Sequence, residues 1–369
     1  MALRRDRRAA EALTARPRRG LPAAAAGPPP TTDLTVPRVA VLLPARDAAA
    51  TVRAAAVSIL RGGFRDLELV VVDDGSCDGT AEVVDRLRAR DRRVRLLRGP
   101  GEGIARALGR ALSATDAPLL ARMDADDVAW PGRLALQVEA LEADPGLAAV
   151  GARVRLLPRA LVRDGMRRYV AWLNGLTTPE LVARDLFVEA PLVHPATLLR
   201  RAPLEAVGGW RDGPFPEDYD LWLRLAAAGG RLTNLPATLL DWRESPGRLT
   251  RRDGRYALAR HVALKCAALA EGPLRGRREV ALWGAGQTGR AFTDALAAEG
   301  VRVTAFVEVD EKKIGRTIRG APVRSWREVA SLRGLPLLVA VGAPGARALI
   351  RSELLTQGFE EGRDFRCVA

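Results

Sequence analysis

Histidine and cysteine are scarce in this chain of 369 residues: His194 and His261, and Cys77, Cys266 and Cys367, all far apart. No CxxC pair occurs, which argues against a His/Cys zinc centre and suits a reducing compartment. Lysine is almost missing, since Lys265, Lys312 and Lys313 stand among 58 basic residues. The formal charge of +14 is therefore arginine, spread along a chain also rich in Ala, Gly and Pro. Aromatics make up 5% and no basic stretch interleaves with them, so nucleic acid is not an expected partner. The basic excess fits anionic ligands or peripheral contact with a membrane surface. No uninterrupted apolar run approaches the roughly 18 residues that span a bilayer. The longest candidate, 256–270, carries Arg260, His261 and Lys265. The Arg-rich N-terminus lacks the apolar centre of a secretory signal. The expected location is the cytoplasm, with the inner face of the membrane as a possible site of action.

The length fits two domains at roughly 150 residues each. Residues 1–36 mix Arg, Ala and Pro and read as a disordered tail, with a short helix at Asp6–Ala15 as the alternative. From Arg38, short apolar runs alternate with helical stretches. "RVAVLLPARD", "LELVVVDD", "RVRLLRG" and "PLLARMDADD" read as strands. "AAATVRAAAVSILRGG", "GTAEVVDRLRARD", "GIARALGRALSAT" and "PGRLALQVEALEAD" read as helices. This alternation predicts an α/β fold, a mostly parallel sheet covered on both faces. Ligands of such sheets lie beyond the carboxyl ends of the strands. Residues 150–250 are less regular and hold a helix at "PEDYDLWLRLAAAGG". "GPLRGRR", 272–278, reads as a linker, after which the strand–helix pattern restarts. The expected domains are 37–271 and 278–369.

Two carboxylate clusters fall at strand ends: Asp73 and Asp74, and Asp124, Asp126 and Asp127. Carboxylates this dense are costly unless a cation or helix N-terminus compensates. In an extended segment Asp124 and Asp126 point to one side and can face one hard cation. Helix capping with solvent exposure is the plain alternative.

In order, the chain reads "VAVLLPARD", "LVVVDDGSCDGT", "GIARALGRAL", "ARMDADDVAWPGRL" and "GPFPEDYDLWLRLAAAG". Over about residues 37–250 this series resembles the glycosyltransferase family 2 enzymes of GT-A fold. The resemblance implies a metal-dependent, inverting transfer from a nucleotide sugar, with UDP the expected nucleotide, to a glycan or lipid-linked acceptor in bacterial cell-envelope polysaccharide synthesis. It puts Pro44 and Arg46 beside the nucleotide base, Asp74 as the acceptor of a hydrogen bond from it, and Asp73 as a shaper of the loop. Asp124 and Asp126 match the DxD motif that holds Mn²⁺ or Mg²⁺. Asp218 matches the general base, with Glu217 its neighbour; a carboxylate in a first helical turn is also favoured by the dipole alone. Arg106 and Arg243 are candidates for the donor's phosphates, and His194 and Trp242 for the acceptor side. A structural His194 and a solvated loop at Arg243 are the alternatives.

"WGAGQTG" follows a short strand, with Gly284, Gly286 and Gly289 in GxGxxG order. Glu308 and Asp310 close the next strand about twenty residues on, the context of a dinucleotide fingerprint. The stretch resembles small Rossmann-like nucleotide-binding modules, which makes NAD(P) or another nucleotide a possible ligand. Other functional readings are a non-catalytic nucleotide-sugar sensor and an NAD(P)-linked sugar-modifying enzyme.

Overall fold

A computed structural model describes residues 36–245, 251 and 253–369. The tail reading, including Asp6–Ala15, lies outside the described residues except at Val36. Among the described residues the chain forms a mixed α/β structure with two sheets.

The larger sheet has eight strands: β1 (Val39–Ala45), β2 (Leu67–Asp74), β3 (Val94–Gly99), β4 (Leu119–Arg122), β5 (Val128–Ala129), β6 (Leu147–Leu157), β7 (Leu198–Arg200) and β8 (Arg231–Arg243). Their order is β3-β2-β1-β4-β7-β6-β8-β5. The first four are parallel, and β7 enters antiparallel to both β4 and β6. The central strands are apolar throughout because helices cover both faces. Helix α1 (Val52–Leu60) shows how: Val52, Ala55, Ala56, Ile59 and Leu60 are buried, the spacing of one helical face. α2 (Thr80–Arg88), α3 (Ile104–Ser113) and α4 (Arg133–Ala143) follow, each beside its strands. Parallel pairing brings the ends of β1, β2 and β4 to one edge, with Ala45 opposite Asp73. The acidic clusters therefore share a rim.

Two of the longest strands, β6 and β8, lie in the stretch that the sequence presents as irregular. Outward-facing arginines break up their apolar runs, as in the Arg155–Asp241 ion pair between them. Pro236 also sits inside β8, where the register with β6 jumps from Leu235 to Thr238. Such a bulge lets a strand carry a proline.

Helices α5 (Asp164–Leu173), α6 (Pro179–Asp185), α7 (Arg201–Ala206) and α8 (Glu217–Ala227) complete this part, and α9 (Leu258–Glu271) leads onward. The smaller sheet has β9 (Glu279–Trp283), β10 (Arg302–Glu308), β11 (Thr317–Ile318), β12 (Ala321–Ser325), β13 (Leu337–Val339) and β14 (Phe365–Cys367). Its order is β11-β12-β10-β9-β13-β14, parallel except for the β11–β12 hairpin. Helices α10 (Gln287–Ala298) and α11 (Ala346–Thr356) flank it. One apolar cluster runs from β1 and β2 through Val262, Cys266 and Leu269 of α9 to β9 and α10. A core therefore continues across the stretch read as a linker. Among the described residues no helix is long and apolar enough to cross a membrane.

Gly151 of β6 faces Asn234 of β8, whose amide donates to Leu176 O and Pro191 O at 3.0 and 2.9 Å. A Cβ at Gly151 would lie 2.1 Å from Asn234 Oδ1. Gly151→Ala is expected to cost about 1–3 kcal/mol through overpacking, read by urea unfolding. A variant as stable as the parent would show that the two strands can part without loss.

Candidate active site

Strand β4 ends at Arg122, and Met123–Asp127 forms a turn, not the longer strand expected. The Asp127 amide donates to Asp124 O across it at 3.4 Å. This turn, and not strand alternation, gathers carboxylate oxygens of Asp124, Asp126 and Asp127 within 4.8 Å of one another. Arg243, at the end of β8, is tied to the turn: its amide donates to Asp127 Oδ1 and its Nε to Asp126 O, both at 2.7 Å. A divalent cation fits this oxygen-only set, which suits hard ions.

Arg122 lies beneath the turn, 2% exposed. It ion-pairs with Asp124, and its charge also acts with those of Glu217 and Asp127. Burial works against its charge, but the Asp124 contact holds its pKa above the ordinary value. Arg133 and Gln137 of α4 brace the floor, donating to Arg122 O at 2.8 Å and to Ala196 O at 2.7 Å.

The helix expected to hold the base, α8, opens with Glu217 and Asp218 beside this floor. Glu217 is 2% exposed. It accepts from the Tyr256 hydroxyl at 2.6 Å, and its Oε1 lies 3.7 Å from His194 Nδ1. Burial opposes its charge, but these donors hold it below the usual carboxylate range. His194, in the short 3-10 turn His194–Ala196, accepts from Trp210 Nε1 at 2.9 Å on its other nitrogen. Burial and Arg122 push its pKa down, so it is a neutral histidine with Nδ1 facing Glu217. It is built into the floor and not displayed toward an acceptor.

Asp218 differs from its neighbour. It is partly exposed and accepts from the Tyr219 amide at 2.7 Å. Desolvation first, then the charge of Glu217, raises its pKa to about 7. Two adjacent carboxylates are thus split, one held ionised inside and one poised at neutral pH at the surface of the cleft.

The predicted donor-side residues separate. Asp74 is buried and accepts from Gly101, Glu102 and Gly103 amides at 3.1, 3.1 and 2.7 Å. Among the described residues, Asp73 accepts the Ser76 amide, at 3.3 Å. Loop shaping, expected of Asp73, therefore falls mainly to Asp74, which organises the turn before α3. Pro44 is half-buried at the end of β1. Arg46 is exposed, with its guanidinium over Gly101. Arg106 pairs with Asp212 at 3.2 Å, on the segment leading to α8. Trp242 is buried in the core beside Tyr169, which corrects its reading as an acceptor-side ring.

In the C-terminal part, Gly284 takes φ +111°, and a Cβ there would meet Val341 at 2.8 Å. A Cβ on Gly289 would lie 1.8 Å from Gly284 O, whereas Gly286 at the head of α10 faces open space. Glu308 accepts from the Ala285 and Val309 amides at 3.1 and 3.0 Å and from Lys313 at 3.2 Å. Asp310 accepts the Lys312 amide at 3.1 Å. Both acidic residues are engaged by the turn itself.

Arg122 and Tyr256 are the residues that sequence reasoning missed. Arg122 stands just before the DxD motif in "ARMDADD" and was readable there. Tyr256 reaches Glu217 only through the fold.

A strand-end acidic turn facing a carboxylate-headed helix, on this sheet, is the arrangement of a GT-A enzyme. The crystal structure of S. aureus TarS residues 1–349 in complex with UDP-GlcNAc shares the fold, with a TM-score of 0.52 at 14% identity over 71% of each chain. A protein named as a glycosyltransferase, EpsE of Bacillus subtilis, is 29% identical over 227 residues, 60% of this chain and 78% of that one. The hyaluronan synthase of Pasteurella multocida is 29% identical over 195 residues, 53% of this chain and 19% of the synthase. Residues 40–208 match the family described as glycosyl transferase family 2. This match and the relatives above support reading the chain as a glycosyltransferase similar to that family.

The raised pKa of Asp218 has a consequence for stability. The folded state holds this proton to about 7, whereas an ordinary Asp releases it near 3.8. Its contribution is thus fully present below pH 3.8 and lost as pH rises through 7. Asp218→Asn removes that loss. The melting temperature of the variant relative to the parent should climb between pH 5 and pH 8, and a flat difference would refute the raised pKa.

Proposed function

We propose that the chain is a metal-dependent, inverting glycosyltransferase that takes a sugar from a UDP-sugar to a glycan acceptor in polysaccharide synthesis. The reading rests on one observation: a three-carboxylate turn and the carboxylate-headed helix α8 meet at the buried guanidinium of Arg122. Asp124 and Asp126, with Asp127 beside them, would hold Mn²⁺ or Mg²⁺. When bound, such an ion offsets the charge that develops on a departing diphosphate. Asp218 takes the proton of the acceptor hydroxyl. That oxygen bonds to the anomeric carbon as the bond to the diphosphate breaks, so attack from the far side inverts the configuration. A positioned base typically contributes roughly 10²–10⁴-fold in rate. Glu217 supports Asp218: its charge keeps the neighbour's proton affinity high, and its fixed position holds the head of α8.

A sensor needs no such base, which favours the enzymatic reading. Acceptor chemistry, lipid-linked or not, and membrane contact follow from this reading and not from a contact in the fold. The glycine turn at Gly284–Gly289 carries a second reading, a nucleotide at the C-terminal sheet, favoured by the open space at Gly286. Thermal shift with NAD, NADP and UDP tests it.

UDP-GlcNAc, the ligand of the TarS crystals, is the first donor to assay. Asp126→Ala should lose turnover and its divalent-ion dependence while UDP binding in calorimetry weakens only in the presence of Mn²⁺. Asp218→Asn should keep UDP affinity and lose roughly 10²–10⁴-fold in rate. The parent's rate should rise with pH to a plateau, with its midpoint near 7. Full activity in Asp218→Asn would move the base elsewhere.

A further inference from the structure

The smaller sheet grips one short segment of the glycosyltransferase part, residues 185–190, and a buried lysine lies at the centre of the grip. Lys265 of α9 is 4% exposed. Its Nζ donates to Val188 O at 2.6 Å and to Val368 O at 3.2 Å, and lies 5.8 Å from the centre of the Tyr219 ring. Both carbonyls belong to well-fixed chain. The Val368 amide donates to Val339 O of β13 at 2.9 Å. Val188 is buried among Trp283, Val339 and Phe365 of the smaller sheet.

A second tie lies beside the first. Asp185, buried at the end of α6, accepts from Trp172 Nε1 at 3.0 Å, Arg184 at 2.9 Å and Arg351 at 2.6 Å. Arg351 projects from α11 and also binds Glu361 at 2.7 Å. The segment held by these ties in turn holds the site. Leu186 O accepts the Tyr219 hydroxyl at 2.8 Å, and Tyr219 directly follows Asp218. Ala190 O accepts the Tyr169 hydroxyl at 3.0 Å, and the chain then enters the His194 turn.

Burying an ammonium costs several kcal/mol unless its donors are satisfied. A leucine or methionine would fill the same apolar space without that cost. The lysine therefore does something packing alone does not: it joins the carbonyl of Val188, in the loop after α6, to that of Val368, just past β14. We propose that Lys265 is a positioning residue for sugar transfer, fixing segment 185–190 to the smaller sheet so that the Leu186–Tyr219 contact sets Asp218 in the cleft. This rests on the reading of Asp218 as the base. The donor side, built on β1, β2 and β4, lies outside this chain of contacts.

The test is Lys265→Met in the full chain. Hydrogen exchange should speed up at amides 186–190 and 219–223 and stay unchanged at 39–45. UDP affinity with Mn²⁺ should stay within about twofold, while kcat for UDP-GlcNAc turnover falls roughly ten- to a hundredfold at unchanged donor KM, the loss expected of a misplaced group. Unchanged exchange at 219–223 overturns the proposal. So does an unchanged kcat, or a fall in UDP affinity that matches the loss of rate. Where Lys265→Met does not fold, Arg351→Met cuts the neighbouring tie and must give the same split between kcat and KM. A parent chain without turnover of any UDP-sugar refutes the proposed function, and the exchange measurement then decides the structural coupling alone.

Discussion

A buried guanidinium organises this site. Arg122 sits at the end of a central strand with Asp124 against it, and its charge acts on Asp127, Glu217, His194 and Asp218. Without a cation there, the acidic turn and the acidic head of α8 would confront each other in a water-poor space, where like charges are expensive. With it, Asp124 has an ion-pair partner, and the same charge pushes the pKa of His194 down. The arginine of α4, Arg133, supports Arg122 from below and never reaches the cleft, since both its contact atoms and its stem are buried. The floor of the site thus holds two buried arginines, and burial together with the charge of Arg122 pushes the pKa of Arg133 down to about 9.

The same economy appears at the other acidic pair. Asp73 and Asp74 raise the same problem, and there the cation is replaced by three backbone amides of the Gly101–Gly103 turn. Gly99, just before that turn, leaves room for the approach, as a Cβ there would lie 2.7 Å from Asp74 Oδ1. One acidic pair shapes the fold, and the other cluster is left with oxygens gathered at a rim.

Much of this was legible in the sequence for a physical reason. Parallel strands buried on both faces leave continuous apolar runs, so β1, β2 and β4 stand out in the letters. The acidic motifs mark their ends because a carboxylate placed there needs an explanation. β6 and β8 were not legible. Their outward arginines and Pro236 erase the apolar signal, and pairing over long distances supplies what the local sequence does not. At the site, Asp124 and Asp126 could be paired by spacing, whereas Asp218 was picked out only by the family resemblance. Tyr256 could not be found, because a phenol acquires meaning only when the fold brings it to Glu217. Trp242 entered only through the family resemblance, and its position in β8 buries it in the core.

Distance along the chain gives the ties around residues 185–190 one more meaning. Asp185 meets Arg351 across 166 positions, and Lys265 meets Val368 across 103. A ribosome releases residues in order, and domains generally fold as they emerge, the N-terminal parts first. The sheet that carries the acidic turn can form early from near neighbours, such as β1 and β2. The segment beneath Asp218 must wait for its partners to be made. The ties around residues 185–190 can therefore close only once the C-terminal residues have been made.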